Sequence, residues 1–174
     1  MNEYEDHFIT TYTGKKFHYL NPAEDEICIE DIAHALSLTC RFGGHCSTFY
    51  SVAEHSYRVA MLAPDNDKLG ALLHDAHEAY LHDVPRPIKQ DIIGYKLIAD
   101  KIQSKIHDKF NITVHNPTLL KYYDDVLLAT ESRDIMATTQ DWAELPKSEL
   151  LEIKPTNWQM AEKVFLDFWG DYNG

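Results

Sequence analysis

The sequence predicts an all-α domain of five to seven helices with a small N-terminal β-hairpin, and three observations carry that expectation. From Glu30 onward, apolar residues recur at helical spacing. The helices have readable starts and stops, among them Ser51-x-x-Glu54, Asn116-Pro117 and the prolines of Asp83-Val84-Pro85-Arg86-Pro87. Period-two alternation is found only between Phe8 and Leu20.

Each element follows in order. Phe8 to Leu20 reads as a hairpin turning at Thr13-Gly14-Lys15-Lys16. Glu30 to Leu38 is a first amphipathic helix, closed by the loop Arg41-Phe42-Gly43-Gly44-His45. The capping box Ser51-x-x-Glu54 opens a second, on which Val52, His55, Ser56, Val59 and Leu62 recur until Pro64, so His55 faces inward. Asp65-Asn66-Asp67 reads as a turn. A helix from about Asp67 to Tyr80 carries Leu69, Leu72, Leu73, Ala76 and Tyr80 on one stripe. His74, Asp75 and Glu78 fall on the opposite side beside Gly70 and Ala71, as in a pocket wall. Pro85 and Pro87 end that run, because neither can continue a helix. Ile92 to Phe110 is a long helix, and Asn116-Pro117 opens another bearing Leu119, Leu120, Tyr123, Val126 and Leu127. Thr156-x-x-Gln159 caps a last, aromatic helix through Trp169. No repeat or linker divides the 174 residues, so 1–174 is expected to be one domain.

Sixteen Lys and Arg against 28 Asp and Glu give a net charge of −12. Such a surface repels polymeric nucleic acid and anionic membranes, and an anionic substrate would need a metal ion or a few cations set in a pocket. No apolar run reaches the roughly 18 residues of a membrane span, and the opening Met1 to Asp6 is acidic where a signal peptide is basic. A cytoplasmic protein is expected. Cys28, Cys40 and Cys46 are odd in number and lack C-x-x-C spacing, so they read as reduced thiols.

The ten histidines ask for a reason. His55, His74, Asp75 and either Asp124 or Asp125 would form a mixed N/O site suited to manganese, cobalt, magnesium, iron or zinc. Asp124 lies roughly 100° nearer its helix's apolar stripe than Asp125, so Asp124 is the expected ligand. A lone inward histidine is usually a hydrogen-bonded core residue. Four inward polar groups without a metal would be costly to bury.

At these residues the chain resembles the HD-domain phosphohydrolases, whose pattern is an early His, a His-Asp doublet on a central helix and a distant Asp. The match is His55, His74-Asp75 and Asp124 with the loop Asp83 to Lys89, and it covers about 29–136. It is closest to the small deoxynucleotide hydrolases, the bacterial 5′-deoxynucleotidases and the dATP triphosphohydrolases of aminoadenine phages. Arg41-Phe42, Glu78 and Asp83 match further positions of that group. His82 departs from it, standing where many relatives carry Gly, which would narrow the pocket mouth and bear on substrate choice.

The resemblance implies one divalent ion, manganese or cobalt foremost, held by His55, His74, Asp75 and Asp124. Glu78 and Asp83 would then handle protons, and Arg41 would grip phosphate in a fork. Lys89 and Lys121 would neutralise a phosphate tail, and Phe42 would stack on a base. Each has a plainer alternative: surface carboxylate, solvated lysine, paired arginine or core ring. His45 and His77 stay open between site support and packing. The expected substrate is a small deoxynucleotide, dATP giving deoxyadenosine and triphosphate, with 5′-deoxynucleotidase or a non-catalytic nucleotide sensor as alternatives. Glu78 and Asp83 argue against the sensor, which needs no acid–base pair. A homo-oligomer is expected from the resemblance and from the aromatic last helix.

Overall fold

A two-stranded antiparallel hairpin leads into eight α-helices in the computed structural model, which describes residues 7–138, 145–149 and 151–173. The acidic opening, 1–6, lies outside the described residues. Strands β1 (Ile9–Thr10) and β2 (Lys16–Phe17) pair Ile9 with Phe17 and Thr10 with Lys16. So short a hairpin is marginal alone. It is held because Phe17 is fully buried and stacks on Tyr80, ring centroids 3.7 Å apart.

The helices are α1 (Ile29–Leu38), α2 (Val52–Leu62), α3 (Lys68–Leu72), α4 (Glu78–Leu81), α5 (Arg86–Asp91), α6 (Tyr95–Phe110), α7 (Pro117–Asp134) and α8 (Trp158–Tyr172). Helices α1, α2 and α8 pack on one another, α3 closes against α2 and α8, and α7 lies on α2. Ile32, Leu36, Val59, Leu72, Ile102, Ile106 and Phe165 are fully buried between them. The aromatics of α8 serve this core, with Phe168 edge-on to Tyr57 and Trp169 edge-on to Phe110. Phe165, Phe168 and Trp169 are therefore core, while Met160 and Tyr172 stay exposed on the same helix. Among the described residues no helix is long and apolar enough to cross a membrane.

The largest departure from the expected elements is at 67–80. In place of one helix, α3 ends at Leu72 and α4 starts at Glu78, and the doublet His74-Asp75 sits on the turn between them. A continuous helix would bond the His77 N–H to the Leu73 carbonyl. Gln103 of α6 takes both groups, its Nε2 donating to Leu73 O at 2.7 Å and its Oε1 accepting from His77 N at 3.1 Å. A side chain inserted into the backbone ladder breaks a helix in this way. Gly70 and Ala71 are correspondingly not pocket wall: Ala71 is buried in the core, and a Cβ on Gly70 would meet Val114 at 2.9 Å.

Three smaller departures have equally local causes. Arg86–Asp91 forms the separate helix α5, with proline in its first turn, where a missing N–H costs nothing. The cap of α8 is Asn157, whose side chain accepts from Met160 N, because Thr156 is engaged by Glu54. Ser51 caps α2 by accepting from Glu54 N at 3.1 Å, while the Glu54 carboxylate turns to Arg58 and Thr156 instead of closing the box. The breaks and α5 bring the helix count among described residues to eight rather than five to seven.

Candidate metal centre and its cavity

The site begins on α2, where the Ser51 cap fixes the first turn and places His55 one turn in, fully buried. His55 Nδ1 donates to Glu131 Oε1 of α7 at 2.6 Å. His74 Nδ1 donates to the Ala71 carbonyl at 2.7 Å. Neither partner can donate in return, since one is a carboxylate and the other a carbonyl, so each ring is left with its Nε2 facing the centre, a lone pair when the ring is neutral and an N–H when it is protonated. The two Nε2 atoms face each other at 3.3 Å. Two neutral rings at that distance would repel, and either a proton or a metal ion between them relieves the repulsion.

Carboxylates complete the cluster. Asp124 Oδ1 is 3.3 Å from His55 Nε2 and 3.9 Å from His74 Nε2. Asp75 Oδ2 is 3.2 Å from His74 Nε2 and 3.8 Å from His55 Nε2. Ligand atoms of His55, His74 and Asp124 all lie within 4.8 Å of one another, and this buried cluster could hold a metal ion. The neighbour Asp125 turns away to Lys121, as its place on the helical wheel predicts.

The electrostatics ask for a cation at the same point. Burial lowers the His74 imidazole, but the charge and hydrogen bond of Asp75, with the charge of Asp124, outweigh it and push it up to about 9. Burial raises Asp75 and Asp124, yet the two imidazoles hold both below the usual carboxylate range. Two imidazole nitrogens and the Asp124 carboxylate are a donor set that fits a divalent ion; Asp75, expected as a fourth ligand, lies beside His74 but outside the group that closes on one centre.

The cluster opens into a cavity of about 370 Å³. Arg41, Phe42, Asp75, Glu78, Asp83, Lys89 and Asp124 line it, seven of the expected site residues. Glu78 is almost fully buried; its Oε1 accepts from Lys89 Nζ at 2.5 Å and its Oε2 has no hydrogen-bond partner. Burial, then the charges of Asp75 and Asp83, push this carboxyl up to about 8 against the pull of Lys89. Asp83 Oδ2 accepts from Phe42 N at 3.2 Å, which ties the Arg41–Gly44 loop to the proline segment.

No protein-family profile matches the chain. The uncharacterized protein YfdR of Escherichia coli (strain K12) is 39% identical over 168 residues, spanning 94% of this chain and 94% of the relative. The chain belongs to the YfdR family. An uncharacterized protein of Rhodobacter capsulatus, RCAP_rcc00048, is 35% identical over 119 residues, 63% of this chain and 61% of that protein. With 94% of the chain aligned to YfdR, the whole span from Arg41 to Glu131 falls inside the match.

Two expected positions in this YfdR-family chain differ from their sequence reading. Lys121 does not line the cavity; it is half exposed and pairs with Asp125 and, at 3.6 Å, Asp124 Oδ2. His82 is exposed and lines both the groove beside the hairpin and the one that holds Cys40 and Asp83, and it is absent from the lining of this cavity. Its φ of 62° and ψ of 161° belong to a region almost reserved for glycine, a strain of order 1–3 kcal/mol. Arg41 lines the cavity but gives Nε and Nη2 to Glu131 Oε2, at 3.2 and 2.9 Å. His77 is a support, its Nδ1 donating to Gln103 Oε1 at 3.1 Å.

Glu131, Gln103 and Arg86 were missed. Glu131, fully buried between Arg41 and His55, stands seven residues after Asp124 and so on the same helical face, a signal that was present in the sequence. Arg86 lines the cavity from the first turn of α5. Nothing in local spacing marks Gln103, whose partners lie 26 and 30 residues away.

Proposed function

We propose that this protein is a divalent-metal-dependent phosphohydrolase of the HD-domain kind, acting on small deoxynucleotides. The observation that carries the reading is the pair of Nε2 atoms 3.3 Å apart, ringed by Asp75 and Asp124, at the wall of a cavity that also holds cationic side chains and a buried, half-satisfied carboxyl. His55, His74 and Asp124 would hold the ion, with Asp75 as a fourth ligand and manganese or cobalt as the metal by the sequence resemblance. Bound there, a divalent ion supplies the charge that acidifies water and polarises a phosphoryl oxygen.

The chain's own residues supply the rest. Arg41, Arg86 and Lys89 line a cavity that also holds Asp75, Glu78, Asp83 and Asp124, so a phosphorylated ligand there depends on the added charge of the divalent ion, with the three cations positioned to grip it. Glu131 orients His55 and Arg41 together. Glu78, with a proton affinity near operating pH, takes a proton from attacking water, and Asp83 serves the leaving 5′-oxygen. Phe42, Leu128 and Leu145 give the cavity an apolar side for sugar and base.

A triphosphate needs cations beyond the ion itself, and Lys89 with Arg86 meets that need in place of Lys121. The preferred reaction is thus dATP to deoxyadenosine and triphosphate, the adenine resting on the sequence resemblance. A second reading, 5′-deoxynucleotidase, draws on the loss of Lys121 from the cavity. A panel of dNTPs, NTPs and dNMPs with manganese or cobalt, with products separated by chromatography, tests both. Triphosphate from dATP supports the first. Inorganic phosphate from dNMPs with no dNTP turnover transfers the assignment to the second, and no turnover of any nucleotide by metal-loaded protein overturns both.

A further inference from the structure

The loop that carries Arg41 and Phe42 begins and ends in cysteine, and the two sulfurs meet. Phe42, Gly43 and Gly44 hold φ of 58°, 59° and 81°, three left-handed residues in succession that turn the chain back on itself. Cys40 Sγ and Cys46 Sγ come to 3.5 Å. Both ends of the loop are pinned. Cys40 bridges Ser51, and Arg41 N donates to Tyr50 O at 2.9 Å. On the other side Ser47 donates through N and Oγ to Ile135 O at 2.8 and 2.7 Å.

We propose that Cys40 and Cys46 form a reversible dithiol–disulfide site, oxidised by small-molecule disulfides of the glutathione class. A disulfide needs its sulfurs at about 2.05 Å. Closing the gap takes side-chain rotation, because the backbone on both sides is already in place. Cys40 lines an open groove of about 450 Å³ with Leu38 and Gly43, where a small disulfide can reach it. Burial, reinforced by the hydrogen bond with Cys40, pushes the Cys46 thiol up to about 11, which makes it the poorer attacker of a free disulfide; in the second step its 3.5 Å approach to Cys40 Sγ offsets this.

Cys40 attacks the small disulfide, forming a mixed disulfide and releasing one small thiol. Cys46 then attacks the Cys40 sulfur and releases the second. Two protein thiols are oxidised, one small disulfide is reduced to two thiols, and the two protein protons leave on those thiols. The ring so closed contains Arg41 and Phe42, so oxidation fixes one wall of the candidate site. Cys28 is the internal control, since its Sγ bonds Asp31 Oδ2 at 3.0 Å, away from the pair.

The test is to incubate the reduced, folded protein with oxidised glutathione, quench with acid, alkylate, and take intact mass and a peptide map. Expected is a product lighter by two hydrogens, with the Cys40 and Cys46 peptides cross-linked and Cys28 alkylated. Cys46→Ser is expected to stop at a stable glutathione adduct on Cys40. The proposal is overturned if wild type keeps such an adduct, if Cys28 enters the bridge, or if Cys40 and Cys46 both stay alkylatable under conditions that oxidise the same chain in urea.

Discussion

Glu54 and His55 are neighbours on α2, both buried and both ionisable, yet they end in opposite kinds of network. Glu54 is closed. Its Oε1 accepts from Arg58 Nε and Nη2 at 3.1 and 2.7 Å, and its Oε2 from Thr156 N and Oγ1 at 2.9 and 3.0 Å. His55 is satisfied on one side by Glu131 and open on the other, where Nε2 meets His74 Nε2 and Asp124. A closed network ties elements together, here α2 to the segment entering α8. An open one leaves a ring nitrogen whose partner can be a proton or a metal ion, so something else can bind there.

The contrast is broken most severely at the open end. His74→Ala and Asp75→Ala are each expected to remove both bound metal and activity, measured by elemental analysis beside a rate assay. Full metal content in His74→Ala would sink the site as drawn. Next in size, Glu78→Gln should keep its metal and lose roughly 10²- to 10⁴-fold in rate, the range for a positioned acid–base group. With Glu78 acting as a base, the wild-type rate should climb as pH rises through its pKa, pushed up to about 8 in the metal-free site and drawn below that by a bound divalent ion, and the climb should flatten in Glu78→Gln.

Glu131 stands between the two kinds, closed on Arg41 and His55 but supporting the open centre. Glu131→Gln is expected to cost about 3–5 kcal/mol of stability, as breaking a buried charge network does, and about 10- to 100-fold in metal affinity through loss of the His55 orienting bond. Burial raises this carboxyl, but Arg41 and His55 hold it below the ordinary range. Its stabilisation is therefore full above an unfolded value of about 4.3 and is lost as pH falls through the lower folded value. Urea melts across that acid range should show the slope in wild type and its loss in Glu131→Gln.

The closed end gives the smallest functional effect. Glu54→Ala removes a carboxylate that accepts four charge-assisted or neutral hydrogen bonds, and a stability loss of about 2–4 kcal/mol is expected in a urea melt. Metal content and rate should match wild type at temperatures where the variant is folded. Loss of metal in Glu54→Ala would mean that the two networks on α2 are coupled, against the separation drawn between them.

Spacing legible within a few residues carries the all-α class, the hairpin, the starts of α2 and α7 and the inward places of His55 and Asp124, whereas His74 and Asp75 reach the centre on the turn that replaces their expected helix. The same spacing chose Asp124 over Asp125. The rest depends on residues far apart in the chain. Gln103 breaks the expected helix by taking the Leu73 carbonyl and the His77 N–H from α6, and Arg41 is turned toward Glu131, ninety positions away. Lys121 leaves the cavity for Asp125 one turn along α7, and the aromatic face of α8 is absorbed by α1, α2 and α3. Helical spacing tells which side of a helix a residue occupies. Which partner reaches it first is a competition settled by packing, and spacing carries no record of it.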